Sequence, residues 1–375
     1  MNSIRNFDKG EFLAEYWQQK PLAIRRGIEH ADALITPEEL AGLACEEDIE
    51  SRLVTHFDNE WNLTHGPIPE STFLNLPNKD WTVLVQRVEA YVPEVASLLE
   101  KFKFLPRWRI DDVMVSYATT GGTVSAHYDY YDVFLIQGQG SRKWQIGDFC
   151  EPGTALKPNL PMKILADFKP TEECILQPGD VLYIPPMLSH CGIALENCIT
   201  YSVGFRAPSH AEIIDLLATT AMSQLGDDVR YTDTPSTLNA DHFEINQETL
   251  EHVRQSIIGV VNDDEMLLSV MAEIAAKTSE RDNSCGDMQN WPTRVKKGAV
   301  IVRSPLSRFS YYSGSPPALF ADGLRFPASV ELARFMCEFD QIAASNLESM
   351  LKLDGSKALI TELLGQKSLQ YEGDW

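Results

Sequence analysis

The sequence predicts a mainly β core, a sandwich or small barrel, with α additions before and after it. Three observations carry this. From Trp108 to Ala207 the chain passes through WRIDDVMVSYA, YDVFLIQG, RKWQIG, ECILQ, VLYIP and ITYSVGFR, short β-rich runs with no helical stretch between them. Gly- or Pro-bearing turns separate the runs: Gly121-Gly122, Gly138-Gln139-Gly140, Gln177-Pro178-Gly179-Asp180 and Pro185-Pro186. On either side of this segment the apolar spacing changes to that of a helix.

The elements follow in chain order. DKGEFLAEYWQ (8–18) reads as a short amphipathic helix with Phe12, Tyr16 and Trp17 on one side. Thr36 is an N-cap with Pro37 at the first helical position. Residues 51–65 alternate around the turn Asp58-Asn59-Glu60 and predict a β-hairpin. Residues 79–103 show helical spacing at Trp81, Leu84, Val85, Val88 and Tyr91, with Pro93 dividing or kinking that helix. Beyond Ala207-Pro208, AEIIDLLATTAMSQL, ETLEHVRQSIIGVV and DEMLLSVMAEIAAKT are three apolar-striped helices, and SERDNSCGDMQNWP (279–292) reads as a linker. GAVIVRSP, SRFSYYSG and ALFADGLRF predict a small sheet, followed by the helices ASVELARFMCEF and SKALITELLGQ. The expected division is a β unit with its N-terminal helices over 1–208, a helical region over 209–278 and a C-terminal domain over 279–375.

The 375 residues are 44% hydrophobic and 23% charged, which excludes disordered and low-complexity classes. Lys and Arg number 32 against 54 acids, a formal charge of −22. The excess is shared: 18 bases against 29 acids in 1–208, and 14 against 25 in 209–375. Neither part gains much by displacing counterions from a phosphate backbone, so no direct nucleic-acid binding and no membrane partner are expected. A basic protein is the better partner, because opposite fields steer encounter. Seven cysteines without a CxxC pair exclude a disulfide framework and a thiolate zinc site. The start, MNSIRNFDKGEFLAEYW, lacks a secretory layout, and a cytoplasmic protein is expected.

The chemistry concentrates in Val124-Ser-Ala-His127-Tyr-Asp129-Tyr-Tyr-Asp132-Val-Phe. On a strand, His127 and Asp129 project to the same side. His190 follows a turn, an apolar strand and a proline bend, which bring it to a strand edge. Two imidazoles and one carboxylate on one side of an ion form the facial set of non-haem Fe(II) oxygenases, with open positions for a cosubstrate and O2. A structural zinc site wants four closed ligands instead. Arg142, opening the strand after Gly138-Gln139-Gly140, has the forked geometry to hold a carboxylate of the cosubstrate. Lys143 alternates to the other face. Ser116 is placed to add a hydroxyl to the same carboxylate. His30, His56, His65, His210, His242 and His252 read as surface or cap residues, and Cys191 as a small core residue.

These runs, above all HYDYYDVFLIQGQGSRKWQIG and LQPGDVLYIPPMLSH, resemble the bacterial ribosomal oxygenases, cupin-fold enzymes of the JmjC type. The likeness is most specific over about 106–208. It implies a double-stranded β-helix, then a helical dimerisation region and a winged-helix-like C-terminal domain. It also implies Fe(II)-, 2-oxoglutarate- and O2-dependent hydroxylation of an arginine side chain at C3, in the sixteenth protein of the large ribosomal subunit. By the same resemblance His127, Asp129 and His190 are metal ligands, and Arg142 and Ser116 hold the cosubstrate. Asp112 or Asp111, with Ser202, meets the substrate guanidinium. The chain departs from the family at Thr200, where relatives often carry an amide side chain. Two other readings stay open at this point: a related oxygenase acting on another protein residue or on RNA, and a non-oxygenase metal-binding cupin. An arginine-directed pocket needs a carboxylate, whereas a methyl-lysine pocket needs an aromatic cage.

Overall fold

The computed structural model describes residues 3–373 apart from 58–59, 227, 236, 240–242, 277–287, 289 and 340. The hairpin turn at Asp58-Asn59, His242 and most of the expected linker at 279–292 lie outside the described residues. The chain divides into two compact units, Met1–Ala207 and Pro208–Trp375.

In the first unit, α1 (Lys9–Glu15) is capped by Asp8, whose carboxylate accepts from the amides of Gly10 and Glu11. After β1 (Leu22–Ile24) comes α2 (Pro37–Ala44), opened by a capping box in which Thr36 and Glu39 satisfy each other's backbone amides. Strands β2 (Ser51–Phe57) and β3 (Glu60–His65) form the expected hairpin, followed by α3 (Glu70–Leu74). The segment read as one helix over 79–103 is different. Trp81–Val85 is strand β4, paired on both sides by β2 and by β5 (Ile110–Ala118), and helix resumes only in short turns around α4 (Pro93–Ala96). WTVLV is a β-branched run four of whose five residues are buried, a sequence that fits both templates until sheet neighbours decide.

The remaining strands are β6 (Asp132–Gln137), β7 (Arg142–Phe149), β8 (Glu172–Leu176), β9 (Val181–Ile184), β10 (Leu188–Ala194) and β11 (Cys198–Phe205). They form an eight-stranded sheet in the order β1-β9-β6-β11-β5-β4-β2-β3 and a three-stranded sheet in the order β10-β7-β8. Period-two alternation sorts the side chains. Phe134, Ile136, Tyr183, Val113, Val115, Tyr201 and Val203 pack outward with Phe12, Leu40 and Phe102 of the N-terminal elements. Val133, Leu135, Leu182 and Ile184 join Trp144, Ile146, Leu176 and Leu188 of the small sheet in a second apolar cluster. This is a double-stranded β-helix, the mainly β core expected.

Asp132 is fully buried at the start of β6 and accepts from Tyr183 Oη (2.6 Å), Gln18 Nε2 (3.0 Å) and Arg109 (3.2 Å). Burial outweighs these donors and holds its carboxyl above the usual range. The network fixes the chain three residues after Asp129 and ties it to the N-terminal segment.

In the second unit, α5 (His210–Gln224), α6 (Gln247–Val261) and α7 (Asp264–Ala276) fall where apolar stripes placed them. Only α7 is a core helix: Met266, Val270 and Ile274 are buried, whereas α5 and α6 bury no residue fully. There follow α8 (Trp291–Lys296), β12 (Ile301–Arg303), β13 (Phe309–Tyr312), β14 (Ala318–Ala321) and β15 (Leu324–Pro327). The chain ends with α9 (Val330–Glu338), β16 (Gln341–Ile342), α10 (Leu347–Leu351), α11 (Ser356–Gly365) and β17 (Leu369–Tyr371). Instead of one small sheet there are two, β16-β12-β17 and β13-β14-β15, and α7 packs on the second through Leu268, Ala272, Ala318 and Phe320. Among the described residues no helix is long and apolar enough to cross a membrane.

Candidate metal centre

His127 and Asp129 lie in the loop between β5 and β6, not on a strand. A single antiparallel bridge pairs His127 with His190 of β10. Its two bonds run from His127 N to His190 O (3.0 Å) and from His190 N to His127 O (2.9 Å). A third backbone bond, Met187 N to Asp129 O at 2.7 Å, stitches the same two segments together. Two residues here adopt left-handed backbone that L side chains disfavour, Ser125 (φ 66°) and Met187 (φ 65°), and β10 bulges between Leu188 and His190. These features flank the bridge at which the three side chains come together.

The ligand atoms of His127, Asp129 and His190 lie within 4.8 Å of one another. Asp129 Oδ2 is 3.9 Å from His127 Nε2 and 3.6 Å from His190 Nε2. Each imidazole uses Nδ1 on a carbonyl, Ser125 O at 3.0 Å and Leu188 O at 2.9 Å. A carbonyl only accepts, so Nδ1 carries the hydrogen and Nε2 presents its lone pair to the cluster. Burial, and then the neighbouring His127, push the His190 pKa down to about 4, so its ring is neutral at neutral pH. Two imidazoles and a carboxylate fit a divalent transition metal with open positions. The adjacent Cys191 turns away towards Thr123, at 3.8 Å.

Arg142 opens β7 and is 6% exposed. One Nη1 reaches Ser116 Oγ at 3.4 Å and Thr200 Oγ1 at 3.3 Å, both long, and its Nε has no partner. Among the described residues no carboxylate pairs with it. A buried cation without a counter-ion costs several kcal/mol, so this cradle is built for an anion. Lys143, on the other face, lies instead 3.9 Å from Glu173. Arg142 stands four residues from Ile146, the cross-strand partner of His190, on the same inward face.

A JmjC-domain family profile matches residues 97–213. The Escherichia coli ribosomal protein uL16 3-hydroxylase is 36% identical over 302 residues, 78% of this chain and 79% of the relative. The chain belongs to the JmjC-type ribosomal oxygenases. A probable ribosomal oxygenase of Haemophilus influenzae is 45% identical over 206 residues, 54% of this chain and 51% of that protein, so the chain spans about half the length of this relative. Among solved structures, the Escherichia coli ribosomal oxygenase YcfD in complex with cobalt and 2-oxoglutarate superposes with a TM-score of 0.86 at 29% identity, covering 99% of each chain.

Two of the residues expected to meet substrate, Asp111 and Asp112, lie around Gly204 together with Tyr131 of the loop that carries His127 and Asp129. Gly204 leaves a space bordered by Asp111 Cβ, Asp112 Oδ1 and Tyr131 Cε2, which a side chain there would meet at 3.6–3.8 Å. Asp112 Oδ2 accepts from the Arg87 amide (3.1 Å), and the Gln86 amide, turned to the orientation that satisfies its neighbours, donates to Asp112 Oδ2 (2.9 Å) and accepts from Arg52 (2.9 Å). Asp111 is half-buried. Ser202 is 7% exposed and lies opposite Met114 in the sheet. Sequence reasoning passed over Tyr131. Although the residue stays 37% exposed, desolvation of its phenol and then the carboxylates of Asp129, Asp112 and Asp111 push it above the ordinary range, while Arg52 opposes them. Its signal was the repeated tyrosine in HYDYYD directly after the ligands. Arg52 and Gln86 had no sequence signal, since only the β2 and β4 pairings bring them to Asp112.

Proposed function

We propose that the chain is an Fe(II)- and 2-oxoglutarate-dependent oxygenase that hydroxylates C3 of an arginine side chain in ribosomal protein uL16 of the large subunit. The observation that carries this reading is Arg142, a buried guanidinium without an acid partner on the same inward face as His190. A zinc isomerase or sugar-binding cupin gives no reason for that charge. The names of the uL16 3-hydroxylase and of the cobalt and 2-oxoglutarate complex support the substrate and the cosubstrate.

The residues divide the work. His127, Asp129 and His190 would hold the iron, the imidazoles presenting Nε2. Arg142, Ser116 and Thr200 neutralise and fix the far carboxylate of the cosubstrate. The iron, with 2-oxoglutarate and O2, supplies oxidation of a C–H bond, the cosubstrate leaving as succinate and CO2. Asp112 Oδ1, beside Gly204 and Tyr131, takes the substrate guanidinium, with Asp111 and Ser202 at its edges. Arg52 and Gln86 orient Asp112 for that task. The apolar walls, Leu135, Ile146 and Leu188 among them, exclude water. Positioning of this kind is worth roughly 7–11 kcal/mol.

The same reading makes 209–278 a homodimerisation region and 279–375 a winged-helix-like domain that binds no nucleic acid directly. The substrate is a basic ribosomal protein met in the cytoplasm. Anaerobic titration with Fe(II) and 2-oxoglutarate tests the site. Wild type develops the weak visible metal-to-ligand band. Arg142→Leu binds Co(II) as wild type does but loses about a hundredfold or more in cosubstrate affinity, the worth of a desolvated charge-assisted pair. Unchanged cosubstrate affinity in that variant removes the reading.

A further inference from the structure

A second unmatched donor stands beside Arg142. Trp144 is 5% exposed, and its indole N–H has no acceptor. The Arg142 Nε–H, next along the same strand face, has none either. Buried donors in folded proteins are almost always satisfied. Other buried polar atoms among the described residues are unmatched too, Thr82 Oγ1 and Tyr201 Oη among them, but Arg142 Nε and Trp144 Nε1 stand two residues apart on one face of β7, where a ligand can supply the acceptor.

The position of the indole says which ligand. Alternation along β7 sets Arg142, Trp144 and Ile146 on one inward face, and Ile146 faces His190 across the ladder. The Arg142 Cζ is 5.6 Å from the Trp144 ring centroid, and that centroid is 6.0 Å from the His190 ring. The indole therefore lies between the anion anchor and the metal cluster. The six-membered edge of the ring covers Gly192, where a Cβ would meet its carbons at 2.7–2.9 Å. Val133, Leu135, Leu182 and Leu188 of the same cluster are apolar and offer no side-chain acceptor.

We propose that Trp144 is a further binding residue for the dicarboxylate cosubstrate, its indole N–H donating to the carboxylate that Arg142 neutralises. The inference rests on the oxygenase reading and adds a contact to it. Gly192 then has a defined role: the absence of a side chain there lets the ring occupy the span between anchor and metal.

Indole 15N–1H spectra of the full-length, Zn(II)-loaded protein test this with 2-oxoglutarate as the probe. The seven tryptophans give separate resonances, and Trp144→Phe assigns the one in question by its loss. The Trp144 resonance shifts downfield saturably as 2-oxoglutarate is added. Trp144→Phe weakens 2-oxoglutarate binding about tenfold, in keeping with a hydrogen bond to a charged group, and leaves Zn(II) affinity within about twofold. Gly192→Ala, which displaces the ring without removing the donor, weakens the ligand too. If the resonance stays fixed at saturation while Arg142→Leu abolishes binding, the Trp144 proposal fails and the anchor stands. If metal-loaded wild type does not bind 2-oxoglutarate at all, the oxygenase reading fails with it.

Discussion

His190 shows how burial sets chemistry at a single residue. Its imidazole is 2% exposed, and its pKa falls from 6.5 to about 4. The folded-state value lies below that of the unfolded chain, so the unfolded chain takes up the proton first. The contribution to stability is whole above about pH 6.5 and is lost as pH falls towards about 4. Between about pH 6.5 and 5 the loss is about 2 kcal/mol. Urea unfolding of metal-free protein across this range detects it, and His190→Asn removes that part of the pH dependence. An identical slope in both proteins contradicts the assignment. The residues most legible in the sequence were those with motif spacing: His127, Asp129 and His190, which the structure brings together, and Arg142, which it buries. Tyr131 and Trp144 were hidden because an aromatic residue in a β-rich run is ordinary core until its polar atom is seen to lack a partner or to face carboxylates.

At the scale of elements, the metal centre depends on two segments joined back to back. The loop holding His127 and Asp129 meets β10 through one bridge and the Met187–Asp129 bond. The sequence suggested that His127 and Asp129 share a strand face. They lie instead in a loop that the His127–His190 bridge and the Met187–Asp129 bond hold against β10, with left-handed backbone at Ser125 and Met187, features that no period-two pattern encodes. The same limit applies to Trp81–Val85, whose spacing fits a helix but whose place between β2 and β5 makes it a strand. Met187 gives a direct test. Met187→Val puts a β-branched residue at φ 65° and should cost about 1–2 kcal/mol of stability. It should also weaken Co(II) binding, because the Met187 amide holds the Asp129 carbonyl. Met187→Gly accepts that backbone and keeps wild-type Co(II) affinity. Equal affinities in the two variants would falsify the bracing role.

On the scale of the whole molecule, the helical region presents several exposed apolar side chains. Ile214 is 64% exposed, Met222 76%, Ile257 60% and Val261 43%, on helices that bury nothing fully. An apolar stripe on a helix more often marks core than interface, and α7 buries its stripe at Met266, Val270 and Ile274. On α5 the stripe Ile213, Leu216 and Leu217 is half-buried and Ile214 and Met222 are exposed beside it, while on α6 the stripe Val253, Ile257 and Val261 is itself exposed, which supports the homodimer reading. Sedimentation of wild type at micromolar concentration should give a dimer, and Ile214→Glu with Ile257→Glu a folded monomer. A wild-type monomer ends the dimer proposal. The formal charge of −22 suits a basic substrate and predicts that its binding weakens with salt.

The most direct measurement is mass spectrometry of full-length uL16 after incubation with the protein, Fe(II), 2-oxoglutarate and air. The account predicts a gain of one oxygen atom on an arginine side chain, lost in Asp129→Ala and abolished without 2-oxoglutarate. Oxygen placed on another residue type, a loss of methyl groups, or full activity in Asp129→Ala contradicts it.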